Sequence, residues 1–151
     1  MNDMGESTGW KHESLASGMG KWAWIVVLIN GIIEVIWWLW SLIPIIQWNI
    51  AFPSYRISMF RQIWWIIWGV LLIVLAVAII KPKFSDKCAA KDWDALYEWI
   101  LPLGKLRVPW MLIWGIIAEI FGFWGWAGIL IIVPACLLLF AGPKKFNWKT
   151  E

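Results

Sequence analysis

The chain has 151 residues, of which 62% are hydrophobic and 15% charged, and its mean hydropathy is +0.70. A soluble domain runs near 45–50% apolar and about 25% charged, so the composition excludes a disordered chain and argues against a soluble enzyme of ordinary architecture. The net charge of +3 sits mostly on residues that flank apolar runs, which points to membrane orientation rather than to nucleic acid.

Residues 1–21 form a polar tail carrying Asp3, Glu6 and Glu13. Its mixed charge, followed by a long tryptophan-rich run, does not fit a cleaved secretory signal. The run 22–43 has 22 residues with Glu34 as its only charge, which at 1.5 Å per residue is long enough to cross hydrocarbon. Pro44 follows, and 47–61 reads as an interfacial loop with Trp48, Asn49, Pro53, Tyr55 and Arg56. The run 63–80 carries no charge, begins with Trp64, Trp65 and Trp68, and stops at Lys81-Pro82-Lys83.

Residues 81–107 hold six basic and four acidic side chains. Trp93, Leu96, Tyr97 and Ile100 recur there at helical spacing, which predicts an interfacial amphipathic helix over about 88–101, ended by Pro102 and Gly104. The apolar stretch 108–142 is 35 residues long, with Glu119 as its only charge. That is too long for one ordinary span and slightly short for two. Gly122-Phe123-Trp124-Gly125 marks a tight turn, so the stretch reads as a hairpin of spans 109–121 and 126–141. One long helix kinked at Pro134 is the alternative. Residues 143–151 are a basic tail.

An internal repeat favours the hairpin. The stretch 28–36, LINGIIEVI, matches 112–120, LIWGIIAEI, with one extra residue in the second copy. Then 69–74, GVLLIV, matches 128–133, GILIIV, and the copies end alike in Lys81-Pro82-Lys83-Phe84 and Pro143-Lys144-Lys145-Phe146. Duplication predicts two hairpins in the same orientation. Four spans put eleven basic residues on one side and only Arg56 and Arg61 on the other. Three spans would split them eight to five, so the charge bias also selects four, with both termini cytoplasmic.

Glu34 and Glu119 are the candidate functional pair. A carboxylate in hydrocarbon costs about 2.5–3.5 kcal/mol on insertion scales, so each needs a partner, a wet cavity or a proton. Asn30 lies one turn from Glu34, small residues flank both acids, and Arg61 begins the second span. The acids are either an ion- or proton-binding site or a buried polar contact satisfied by Asn30, Arg61 or each other.

The segment 117–122, IAEIFG, and less closely Ile33-Glu34-Val35, resembles the single-glutamate helix of the small multidrug resistance transporters. That resemblance implies a four-helix exchanger of protons for aromatic cations. It covers about six residues; the family carries its glutamate on the first helix, whereas the better match here is on the third, so membership is not assigned.

The 17 tryptophans divide into two interfacial belts in this topology, with Trp124 and Trp126 in the outer one and Trp114 buried. Trp37, Trp38, Trp64, Trp65 and Trp68 cluster towards the outer side near Glu34 and are the candidates for aromatic contact with lipid, neighbouring helices or an organic cation. Cys88 and Cys136 lie at different depths and make no disulfide or metal framework, and His12 stands alone. No phosphate loop or nucleophile with its base is present, so no catalytic residue, metal or cofactor is expected.

The fold class expected is therefore an all-α integral membrane protein: four transmembrane helices as two duplicated hairpins over 22–142, plus a cytoplasmic interfacial helix. The expected setting is the plasma membrane. The expected partners are membrane lipids and other membrane subunits or copies of itself, with no nucleic acid. The expected role is a non-catalytic subunit of a larger membrane complex; the alternative is a small oligomeric proton- or cation-coupled transporter or channel.

Overall fold

The computed structural model describes residues 9–149, with the side chain of Trp124 outside the description; residues 1–8, including Asp3 and Glu6, also lie outside it. The chain is mostly helical, at 74%. Two helices are long and apolar enough to cross a membrane.

The first, α1 (Glu13–Ala51), has 39 residues and is about 58 Å long. It starts inside the stretch expected to be a polar tail and continues through Pro44. Proline removes one backbone donor there without ending the helix. The second long helix runs from Phe60 to Ala90, about 46 Å. It opens as α2 (Phe60–Leu75), widens to π geometry over Ala76–Ser85 around Pro82, and closes as α3 (Asp86–Ala90). The loop between the two long helices folds onto the end of α1. Asn49 accepts from Ile57 N–H at 2.7 Å and donates to Ile57 C=O at 2.9 Å.

The single interfacial helix expected over about 88–101 is not what forms. Lys91 adopts a left-handed conformation, φ 56°, and breaks the helix. A short α4 (Trp93–Glu98) follows, capped by Asp92, whose carboxylate accepts from Ala95 N–H. The chain then departs from an all-α fold. β1 (Ile100–Leu103) pairs antiparallel with β2 (Leu106–Pro109), with Leu103 opposite Leu106. Gly104 takes φ 62° in the two-residue turn between them, the position where such hairpins favour glycine. Pro102 and Gly104 are therefore parts of a hairpin as well as a helix stop.

The stretch 108–142 folds as two shorter antiparallel apolar helices, α5 (Trp110–Phe121) and α6 (Ile129–Ala141), joined through a tight turn at Phe123–Gly125. They have 12 and 13 residues, about 18 and 20 Å. Pro134 lies within α6 and does not fuse the two into one helix.

The core lies on one side of α1, which packs on α2, the π segment, α3 and α6; α5 packs on α6 and only lightly on α2. The buried residues of α1 are Ala16, Gly20, Ala23, Val27, Asn30, Gly31 and Glu34. Their spacing of three and four forms one narrow face of mainly small residues, the pattern that lets helices approach closely. The face ends at Glu34, and the 17 residues of α1 beyond it contribute no buried residue.

The charged segments meet at one end. Glu13 bonds Lys91 at 3.0 Å and Trp93 Nε1 at 3.1 Å. Lys87 pairs with Asp92 at 2.8 Å and Lys144 with Asp94. Tyr97 donates to Leu138 C=O at 2.7 Å. Arg107 N–H bonds Trp148 C=O at 2.9 Å, and Leu106 bridges Lys149, so the C-terminal segment extends the small sheet. Arg56 and Arg61 lie at the opposite end, around the α1–α2 loop.

Candidate functional site

Two glycine contacts set the geometry. Where α1 crosses α2, a Cβ added to Gly31 would stand 2.8 Å from Gly69 C=O. Where α5 meets α6, a Cβ on Gly128 would clash with Gly115 C=O and stand 2.8 Å from Glu119 N. Backbone meets backbone at both points, so no side chain fits.

The α5–α6 turn comes to rest on Asn30. Asn30 is fully buried, and its Oδ1 accepts a short hydrogen bond from Phe123 N–H. Aromatic contacts hold the turn on both sides: Trp68 stacks on Phe121 at 3.7 Å between ring centroids, and Trp37 packs against Phe123 at 5.8 Å. Glu34 lies one turn beyond Asn30 on the same face and is 2% exposed. Among the described residues, Glu34 Oε2 and Asn30 Nδ2 have no hydrogen-bond partner.

The two acids do different work. Glu119 Oε2 accepts from Gly128 N–H at 3.0 Å, so this half-buried carboxylate closes the turn and meets the N-terminal end of α6, where the helix dipole favours negative charge. Arg61 does not partner either acid, and no salt bridge among the described residues involves Glu34 or Glu119. Arg61 stands over the ring of Trp38, 5.8 Å from its centroid, and Trp38 stacks on Trp65 at 6.2 Å. Trp64 meets Trp68 edge-on at 5.9 Å and is otherwise outward, 44% exposed. The structure thus joins Asn30, Trp37 and Trp68 at the hairpin tip, and Trp38, whose indole lies beside the Glu34 carboxyl group, carries the stack of Arg61 and Trp65.

Sequence reasoning missed Phe121 and Phe123 because nothing in an apolar run singles out a phenylalanine. It also missed two buried polar residues. Gln62 is 2% exposed and Ser85 is 1% exposed, with Ser85 Oγ accepting from Trp24 N–H at 3.2 Å. The signal was available: each sits within the second long helix, where a polar side chain calls for a partner. Cys88 and Cys136 are both free, and no group of three metal-ligating side chains occurs among the described residues.

The chain matches no family model, and comparison with curated proteins and with solved structures returned no match.

Proposed function

We propose that the chain is a polytopic plasma-membrane protein that serves as a non-catalytic subunit of a larger membrane assembly. Both termini and the charged layer face the cytoplasm, a placement supported by the eleven-to-two division of basic residues. In this reading α1 and the helix Phe60–Ala90 are the two full crossings. The α5–α6 hairpin enters and leaves on the cytoplasmic side and reaches half depth. Asn30, which meets its tip, is eight residues from Trp22, about 12 Å, against about 15 Å for half the hydrocarbon core. The four apolar segments thus become two spans and one half-depth hairpin. A duplication is supported by the glycines: the repeat aligns Gly31 with Gly115 and Gly69 with Gly128, the residues at the two close approaches.

The observation that carries the subunit reading is the bare outer half of α1. Past the hairpin tip, Ile36, Trp37 and Trp40 are 62%, 55% and 75% exposed, and with Ile33 they line an apolar hollow. Rigid aromatic anchors around a hollow are what helix partners engage. Gentle extraction from the native membrane, with the mass and composition of the particle measured, tests this. A defined complex that loses its partner on Ile36→Ala/Trp40→Ala is expected. A lone monomer that both substitutions leave unchanged would sink the reading.

One observation favours the second reading, a small proton- or cation-coupled transporter: the orphan oxygen of Glu34 beside the orphan amide of Asn30. Its test is pH-driven flux in liposomes. Flux that persists in Glu34→Gln removes it.

A further inference from the structure

The light contact between α2 and α5 leaves a seam, and two cavities occupy it. The deeper is about 230 Å³ and is lined by Trp68, Leu71, Leu75, Ile79, Trp114 and Ile117, among others. The shallower is about 250 Å³ and shares Ile79 and Trp114 with it, adding Lys83, Trp99 and Trp110. Lys83 and Trp99 also line a third hollow at the surface, with Lys87 and Glu98. Each hollow shares two lining residues with the next, so we read the three as one groove, polar at its mouth and apolar along its length. Trp110 and Trp114 are stacked at 5.7 Å along its α5 side, and the deep end is at Trp68, which stacks on Phe121.

Its length is informative. From Lys83 to Trp68 the helix runs 15 residues, about 20 Å once the shorter rise of the π segment is allowed for. The groove therefore ends where the hairpin ends, at the depth of one leaflet. Its chemistry is informative as well. Lys87 is held by Asp92, and Lys144, the other cation near Glu98, is held by Asp94. Lys83 and Glu98 are both exposed, line the same hollow and form no salt bridge with each other among the described residues. Opposite charges held apart across a cavity complement a dipolar group lying between them.

We propose that this groove is a binding site for one zwitterionic phospholipid of the cytoplasmic leaflet carrying a primary amine. The phosphate lies against Lys83, the ammonium against Glu98 and the face of Trp99, and one acyl chain follows Ile79, Trp114 and Ile117 down to Trp68. The inference rests on the membrane reading above, and its test separates the two. Carbonate extraction first establishes whether the chain is integral to the membrane; release into the supernatant would defeat that reading and this one with it.

With the chain in the bilayer, the purified protein is exchanged into nanodiscs of equal phosphatidylethanolamine, phosphatidylcholine and phosphatidylglycerol. The lipid retained on gentle release is identified by native mass spectrometry. Phosphatidylethanolamine is expected to be retained above the other two. Lys83→Gln should lower its retention roughly fivefold, and Glu98→Gln should erase the preference over phosphatidylglycerol. Ile117→Trp, which enlarges a side chain that lines the groove, should displace lipid while leaving the far-UV circular dichroism unchanged. Equal retention of the three lipids, preference for phosphatidylglycerol, or retention that survives Ile117→Trp would each overturn the site.

Discussion

At the residue scale, the decisive side chains are those that hold the α5–α6 turn against α1. Asn30 supplies the acceptor for Phe123 N–H in a fully buried position. Removing a buried acceptor costs more than the bond contributed, because the donor keeps its desolvation penalty. Asn30→Ala is therefore expected to lower stability by about 1–3 kcal/mol, read as a drop in the melting temperature of the detergent-solubilised protein. Glu119 allows a sharper contrast. Its bond to Gly128 N–H needs an oxygen rather than a charge, so Glu119→Gln should melt close to the parent and Glu119→Ala clearly below it. Equal losses for the two would mean that the charge acts at the α6 terminus. The importance of Glu34, Glu119 and Asn30 was legible in the sequence because a polar group in an apolar run must be satisfied. Their partners were not legible. Arg61 was an equally good candidate because it begins the second span on the side where both acids were expected, and only the packing of the turn distinguishes a backbone N–H from a guanidinium.

At the element scale, helix faces are set by spacing and close approach. Gly18 and Gly31 lie on the same helix, yet a Cβ at Gly18 meets nothing within 4 Å while one at Gly31 meets the backbone of Gly69. Alanine is the better helix former by about 0.5–1 kcal/mol. Gly18→Ala should thus be neutral or slightly stabilising, and Gly31→Ala should destabilise by forcing α1 from α2; a melting curve for each decides it. The surface segment answers to electrostatics instead. The hydrogen bond from Lys87 holds the Asp92 carboxyl below the usual aspartate range, and the Ala95 amide adds to this. The pair is therefore fully formed above the ordinary aspartate value and is lost as pH falls through the lowered one. The Asp94 carboxylate raises Lys144 above the usual lysine range, so that pair is complete below the ordinary lysine value and lost as pH rises through the raised one. Hydrogen exchange at Ala95 N–H should accelerate in acid relative to its intrinsic rate, and this acid step should vanish in Asp92→Ala. The apolar middles of the two long helices were readable here from length and hydropathy, but not their extensions to Glu13, Ala51 and Ala90. The β-hairpin and the break at Lys91 were not, because a lysine in a left-handed conformation carries no sequence mark, and Pro102 and Gly104 signal the end of a helix without specifying a strand pair.

At the scale of the whole molecule, the arrangement is asymmetric between its two ends. The charged segments, the small sheet and the α5–α6 hairpin gather around the N-terminal half of α1, whereas beyond Glu34 the helix has no buried residue among those described, and Trp37 meets Phe123 of the α5–α6 turn. The inner half forms a packed bundle, and the outer half is a two-helix stalk whose apolar surface is left for lipid or a partner. A sequence reading could see four apolar segments and the side on which their charges fall, but not how deep the last two go. A full hairpin and a half-depth one return their charges to the same face, so the positive-inside bias cannot tell them apart. The helix lengths of 12 and 13 residues, against the roughly 20 needed to cross, support the half-depth placement proposed above. Single cysteines in a background of Cys88→Ala and Cys136→Ala test this directly with a membrane-impermeant maleimide applied to each side of oriented membranes. Ser54→Cys, in the α1–α2 loop, should label from outside, and Lys105→Cys, in the β-hairpin turn, from inside. Trp126→Cys, in the α5–α6 turn, should label from neither if the turn sits at mid-membrane as proposed. Labelling of Trp126→Cys from outside would establish two further full spans. It would also remove the match between the groove and a single leaflet, since that match requires the stack of Trp68 on Phe121 to lie at the centre of the bilayer.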